Sequence, residues 1–200
     1  MTEHYFSQKP QTKSSPETWD YLLNGKTFTF TSDIGVFSKN EVDFGSKQLI
    51  EQFKEPAITG DLLDLGCGYG PIGIAIADKY KDRHLVMVDI NERAIALAEQ
   101  NASRNQVTNV ECMESDRLSA VKNRSFAAIL TNPPIRAGKK VVHQMFVEAQ
   151  QVLKEHGELW VVIQKKQGAP SAKEKLASLF GEVEVVAKNK GYYIFRATNV

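Results

Sequence analysis

Asn132-Pro133-Pro134-Ile135 concentrates more chemistry than any other four residues of the chain. Its two prolines stiffen the backbone and remove two N–H donors. The Asn132 side-chain oxygen and the Pro133 carbonyl can then face one site as a pair of acceptors. An exocyclic amino group carries two N–H bonds and needs such a pair. Its lone pair is delocalised into the attached ring or carbonyl. Holding both hydrogens out of plane localises that pair toward an incoming electrophile. Group transfer to the nitrogen then rests on positioning and local electrostatics. It calls for neither a metal nor a covalent intermediate.

A second constellation is Asp64-Leu65-Gly66-Cys67-Gly68-Tyr69-Gly70, set between a strand and a helix. Glycines there let the backbone turn tightly and approach a ligand closely. Gly68, Gly70 and Gly73 also satisfy the dinucleotide spacing, with Asp89 at the expected distance. The local chemistry argues against a dinucleotide. Its pyrophosphate needs free N–H groups at the helix N-terminus, where Pro71 removes one and Asp64 adds negative charge. Both features suit S-adenosylmethionine, which has no phosphate and carries an ammonium. The run resembles the cofactor loop of class I methyltransferases. Asp89 ends the next strand, where a carboxylate can accept both ribose hydroxyls. Asp116 follows the third strand, and Ile90 and Arg117 stand beside these two aspartates in the same expected site. Any one aspartate reads equally well as strand-end turn chemistry. Three at successive strand ends, with the glycine loop, mark the edge where open α/β sheets bind ligands. Cys67 reads as a small apolar filler within that wall. With no second Cys or His at ligand spacing, no metal site is expected.

The elements that must position these residues follow from periodicity. Thr27–Thr31 alternates aromatic and β-branched residues as a strand does. Lys47–Phe53 has apolar residues at helical spacing, with Ser46 as its N-cap. From residue 61 the pattern is β-α-β-α. Strands are expected at 62–65, 85–88, 110–113, 126–130 and 159–163. Helices are expected at 71–80, opened by Pro71, at 92–104, capped by Asn91, and at 139–153 and 172–180. Two closing strands, 182–187 and 192–197, have no helix between them and should form an antiparallel hairpin. The fold class is therefore α/β: a Rossmann-like, mainly parallel sheet with a C-terminal antiparallel hairpin. Residues 1–20 read as a polar lead-in with little fixed structure. Residues 1–55 are expected as an N-terminal β/α extension and lid, and residues 56–200 as the catalytic domain.

Gly35-Val36-Phe37-Ser38, Asp43-Phe44-Gly45-Ser46 and Asn132-Pro-Pro-Ile135-Arg136-Ala-Gly138-Lys139 together resemble one family. It is the small-subunit ribosomal RNA guanine-N2 methyltransferases, the C-type enzymes. The resemblance covers roughly residues 27–197. Members of that family carry a further methyltransferase-like half ahead of the catalytic one, which these residues do not include. The resemblance implies a seven-stranded sheet of order 3-2-1-4-5-7-6 and hydrogen bonding of Asp116 to the adenine amino group. It implies ribosomal RNA or the small ribosomal subunit as partner, and guanine N2 as target. Relatives acting on adenine N6 or on protein glutamine commonly have an aromatic residue where this chain has Ile135. Those two substrates, and a non-catalytic ribosome-assembly role that keeps the cofactor pocket, are the competing readings.

Composition bounds the partners. The chain has 200 residues, 42% of them hydrophobic, and a net charge of +1. That charge supplies no global field for nucleic acid, so RNA contact must come from local patches. Arg136, Lys139 and Lys140 follow the Asn-Pro-Pro motif, and Lys165 and Lys166 follow the fifth strand of the β-α series. Phe37 could roof the cofactor or stack on a base. Two cysteines make no disulfide framework and point to a reducing cytoplasm. No apolar run is long enough to span a membrane.

Overall fold

At Asn24-Gly25 the chain doubles back. Both residues have positive φ, 51° and 77°, as a two-residue hairpin turn demands. The turn joins β1 (Glu17–Leu23) to β2 (Lys26–Ser32) in an antiparallel ribbon. The computed structural model describes residues 7–38 and 40–200. The expectation of little fixed structure before residue 20 is corrected here, save for residues 1–6, which lie outside that description. Glu17–Asp20 are strand, and Ser14 and Ser15 donate to the Asp33 carboxylate at 2.6 Å each. Pro10, Thr12 and Ile34 supply acceptors to the Arg93 guanidinium.

Trp19 and Tyr21 lie opposite Phe30 and Phe28, which gives the ribbon one aromatic face. Its outer edge is closed by a helix. In α3 (Glu92–Arg104), Asn101 exchanges two hydrogen bonds with the backbone of Thr31. Asn105, the residue capping that helix, does the same with Thr29. Two residues along a strand advance about 6.8 Å and four along a helix about 6.0 Å. The two amides therefore match two rungs and stand in for a neighbouring strand on an edge that would otherwise stay open.

The remaining elements are α1 (Phe44–Gln52), β3 (Asp61–Leu65), α2 (Pro71–Lys79), β4 (Leu85–Asp89), β5 (Val110–Glu114), β6 (Phe126–Thr131), α4 (Lys139–Val152), β7 (Leu153–Gln164), α5 (Ala169–Leu179), β8 (Glu182–Asn189) and β9 (Tyr192–Thr198). The seven-stranded sheet runs β5-β4-β3-β6-β7-β9-β8, with β9 antiparallel to both its neighbours. Counted within that sheet, the order is 3-2-1-4-5-7-6, as the resemblance implies.

Strand alternation splits the core in two. Leu62, Met87, Leu130 and Trp160 pack on the side of α1, α2, α3 and the ribbon. Leu63, Val86, Val88, Ile129 and Val161 pack on the side of α4 and α5. The ribbon residues Leu23, Phe28 and Phe30 belong to the first cluster, so the N-terminal unit and the sheet share one apolar interior. Asn91 caps α3 through Arg93 N and Ala94 N, as its sequence position predicts. The cap of α1 is a correction. Asp43, not Ser46, takes that place: its carboxylate accepts from Ser46 N, and its carbonyl accepts from Lys47 N. The helix starts three residues earlier than its apolar spacing indicates, because Phe44, Gly45 and Ser46 form its first turn.

Candidate active site

β3, β4, β5 and β6 end side by side, and the loops after them enclose a cavity of about 360 Å³. Its wall includes Gly66, Cys67 and Gly68 after β3, Asp89 and Ile90 at the end of β4, and Asp116 and Arg117 after β5. Asn132, Pro133, Pro134 and Arg136 follow β6, and Phe37 comes from the N-terminal unit. The structure thus gathers most of the residues singled out in the sequence around one space. It places four of them elsewhere. Gly70 is the left-handed residue that opens α2. Asp64 is fully buried outside the cavity wall. Ile135 and Lys139 line a separate shallow pocket with His143 and Ser171. Within the 3₁₀ turn at Ile135–Ala137, Ile135 faces that pocket while Arg136 and Ala137 stay on the cavity wall.

The glycine loop is shaped for close approach. Gly66 and Gly68 have φ of 76° and 56°, and the space where a Cβ would stand is open at both. At Gly73 the reason for glycine is packing: a Cβ there would lie 2.5 Å from Met87 Sδ. This lets α2 settle on β3 and β4. Gly73 N then donates to Asp64 Oδ2 at 2.8 Å, and Asp64 Oδ1 is buried without a partner. Burial pushes the Asp64 carboxyl up to about 7, against the Gly73 bond and with help from the Asp89 charge. Asp89 Oδ2 accepts from Gly68 N and Oδ1 from Asn91 N, at 2.8 and 2.9 Å. Burial raises this carboxyl too, opposed by those bonds. A carboxylate has about four acceptor positions, so Asp89 keeps capacity toward the cavity. Burial likewise lifts the Cys67 thiol well above its usual range, which keeps it a neutral filler.

These features fit S-adenosylmethionine and not a pyrophosphate. At the start of α2, Pro71 has no N–H, and the Gly73 N–H is committed to Asp64. That leaves a poor anion site. The Asp89 carboxylate in the wall suits a ribose, and the orphaned Asp64 oxygen, buried behind the glycine loop, leaves an unsatisfied acceptor beneath the place an ammonium would take. Ile90, Val141 and Met145 supply apolar wall for an adenine. Asp116 and Arg117 form an ion pair at 3.1 Å, and Arg117 turns back to Glu148 at 3.0 Å.

The Asn132 amide is held by two neighbours in the cavity wall. Its Nδ2 donates to Asp43 Oδ2 at 2.9 Å and to Ser46 Oγ at 3.0 Å. A carboxylate only accepts, so the nitrogen must face Asp43, and Oδ1 is the polar atom the amide has left to offer. Downstream, Pro134 and Ile135 give their carbonyls to Ala137 N and Gly138 N. The Asn132 oxygen and the Pro133 carbonyl are the acceptors that this turn does not consume. Asp43 and Ser46, which line the cavity and hold the Asn132 amide, are the wall residues that spacing alone missed. They were visible only as part of the Asp43-Phe-Gly-Ser46 run. Gly45 in that run has its own reason, since a Cβ would lie 2.8 Å from Tyr192 Cε1. Tyr69, also unassigned in the sequence, joins the loop to the ribbon. Its ring meets Trp19 and Phe30 edge-on, and its hydroxyl donates to Glu41 O at 2.9 Å.

The open sheet with its closing hairpin, and a loop-and-carboxylate pocket at the strand ends, define a class I methyltransferase. The family model of the methyltransferase small domain matches residues 27–196, and the chain belongs to that family. S-adenosylmethionine is its cofactor. The chain is 59% identical to the Bacillus subtilis (strain 168) protein whose curated name is "Uncharacterized protein YbxB", over the full length of both. Among solved structures it is similar to the T. thermophilus 16S rRNA N2 G1207 methyltransferase RsmC, in complex with AdoMet and guanosine. The TM-score is 0.82 at 24% identity, over 96% of this chain and 52% of that one. The chain therefore spans about half the length of that enzyme. It is also similar to a ribosomal protein L11 methylase of Lactobacillus delbrueckii subsp. bulgaricus, with a TM-score of 0.62 and 19% identity over 78% and 77% of the two chains. One fold thus serves RNA and protein acceptors alike, and the substrate has to be argued from the site.

Proposed function

We propose that this protein methylates an exocyclic amino nitrogen, guanine N2 of small-subunit ribosomal RNA. The observation that carries the reading is the orientation of Asn132. With its nitrogen engaged by Asp43 and Ser46, the amide offers the cavity an oxygen. That oxygen and the Pro133 carbonyl can accept the two N–H bonds of one amino group. When bound, S-adenosylmethionine supplies an electrophilic methyl group on a sulfonium. Asn132 and Pro133 draw the two hydrogens aside and leave the nitrogen lone pair directed at that carbon. With that group bound, these residues would hold the amino nitrogen ready to accept the methyl carbon as its bond to sulfur is given up, and the nitrogen would release one proton to solvent. No base of the protein is required, because the methylated nitrogen is strongly acidic until it loses that proton.

Guanine is favoured by the resemblance through residues 27–197 and by the named activity of the T. thermophilus relative. Ile135 adds to this. It lacks the ring that adenine and glutamine enzymes commonly carry, and it lies off the cavity wall. Exposed Arg136 at the rim, with Lys139 and Lys140 beyond it, suits RNA phosphates. The N-terminal extension, expected as residues 1–55, acts as a lid over the cofactor, and the site operates in the cytoplasm. Incubation with labelled S-adenosylmethionine and small-subunit rRNA lacking its modifications tests the reading. Label in N2-methylguanosine is expected. Label in N6-methyladenosine, or only in ribosomal protein, would overturn it.

A further inference from the structure

Asp43 stands in the cavity wall beside Asn132, and the site described so far uses one of its two carboxylate oxygens. Oδ2 accepts from Ser46 N at 3.0 Å and from Asn132 Nδ2 at 2.9 Å. Among the described residues no lysine or arginine forms an ion pair with Asp43, so its charge is left to act on whatever enters beside Asn132.

We propose that Asp43 determines which base the site accepts: it admits a base whose amino group has a ring N–H on one flank and rejects one whose amino group is flanked only by a bare ring nitrogen. The inference rests on the guanine reading above and deepens it. Guanine presents N1–H and the N2 amino group side by side, two neighbouring donors. Adenine sets its amino group next to N1, and cytosine next to N3, and both of those ring nitrogens are acceptors. The pose this requires holds the amino group at Asn132 with its N1 flank toward Asp43, just ahead of α1, and guanine N3 on the far side. A carboxylate there gains a charge-assisted hydrogen bond from guanine N1–H. Against adenine or cytosine it meets a lone pair instead. A site built to bond a donor discriminates strongly against an analogue that lacks it, because a polar group is then left unpaired.

The test uses the full chain and a short RNA around the nucleotide that the wild-type protein methylates in rRNA. That nucleotide is supplied either as guanine or as 2-aminopurine, which keeps the amino group but has a bare N1. Wild type should favour guanine in kcat/KM by roughly tenfold or more, the factor expected for one hydrogen bond to a charged group. Asp43→Asn keeps the helix cap. Its oxygen remains held by Ser46 N and Asn132, so an NH2 takes the place of Oδ1. The preference should collapse or invert, with affinity for S-adenosylhomocysteine unchanged within about twofold. Ser46→Ala removes one holder of Asn132 and leaves the carboxylate. It should lower kcat on both RNAs and keep their ratio. Equal use of the two RNAs by wild type, or an unchanged ratio in Asp43→Asn, would overturn the proposal and leave the guanine reading standing. If wild type forms no N2-methylguanosine in rRNA, the guanine reading fails and takes the proposal with it.

Discussion

At the residue scale the proposed chemistry places its main demands on two carboxylates, Asp64 and Asp43, and on the Asn132 amide. Asp64 is fully buried with one oxygen unpartnered, and its carboxyl is raised to about 7. The folded chain thus holds a proton that the unfolded chain releases near the ordinary value of 3.8. Stability without cofactor should fall as pH rises between those values. The loss should reach a few kcal/mol, since each pH unit separating the two values is worth about 1.4 kcal/mol. Asp64→Asn should flatten that slope, be the more stable protein at pH 8, and bind S-adenosylhomocysteine more weakly. Denaturant unfolding across pH, with calorimetry of the product, checks both halves. If the variant is less stable at pH 8, Asp64 is not a strained buried acid. Asn132→Asp puts a second carboxylate at the 2.9 Å now spanned by the hydrogen bond to Asp43. Two such groups share one proton. Once protonated, the introduced carboxyl can donate to Asp43 and still offer a carbonyl oxygen, as asparagine does. Turnover of this variant should decline as pH rises, with a steeper fall than wild type in a pH–rate profile. A parallel profile would show that the amide nitrogen is not needed for orientation. The sequence made Asn132 and the glycine loop legible because both are short, contiguous runs. It did not reveal what orients Asn132, since Asp43 lies 89 positions away. Nor did it show Asp64 withdrawn from the cavity, a result of α2 closing down on β3 at Gly73.

At the scale of elements, the ribbon and α3 are the unexpected part. The β-α alternation from residue 61 and the closing hairpin were readable from period and turn residues. β1 was missed although Asn24-Gly25 marks its turn, because the polar residues around it masked a strand whose aromatic side chains alternate. The pairing of Asn101 and Asn105 with β2 is non-local and has no periodic signature. It makes a prediction. Asn101 is fully buried, and Asn101→Ala strips Thr31 of both backbone partners while removing the donor to Tyr69 O. The loss should be about 2–5 kcal/mol. Asn105→Ala, at a half-buried position, should cost less. Thermal unfolding should place Tm in the order wild type, Asn105→Ala, Asn101→Ala. Because Tyr69 sits in the glycine loop, Asn101→Ala should also weaken cofactor binding.

For the whole molecule, a net charge of +1 means that attraction to RNA is local. Lys139, Lys140, Lys165 and Lys166 are exposed after β6 and β7, on the side where the cavity opens. Each lysine that neutralises a phosphate should contribute close to one unit to the slope of log affinity against log salt. Lys139→Ala with Lys165→Ala should lower that slope by about two and leave cofactor affinity alone. An unchanged slope would move the RNA to another face.

The central claim is that Asn132 directs an amino nitrogen of ribosomal RNA at the methyl group. It is tested most directly by single-turnover methylation of unmodified small-subunit rRNA, with nucleoside analysis of the product, for wild type and Asn132→Ala at saturating cofactor. Wild type should yield N2-methylguanosine. The variant should be slower by on the order of 10²-fold, because an acceptor that tightens as the nitrogen becomes tetrahedral is lost. Its affinity for S-adenosylhomocysteine should be nearly unchanged. Methylation at the wild-type rate by Asn132→Ala, or a defect confined to cofactor binding, would contradict the account.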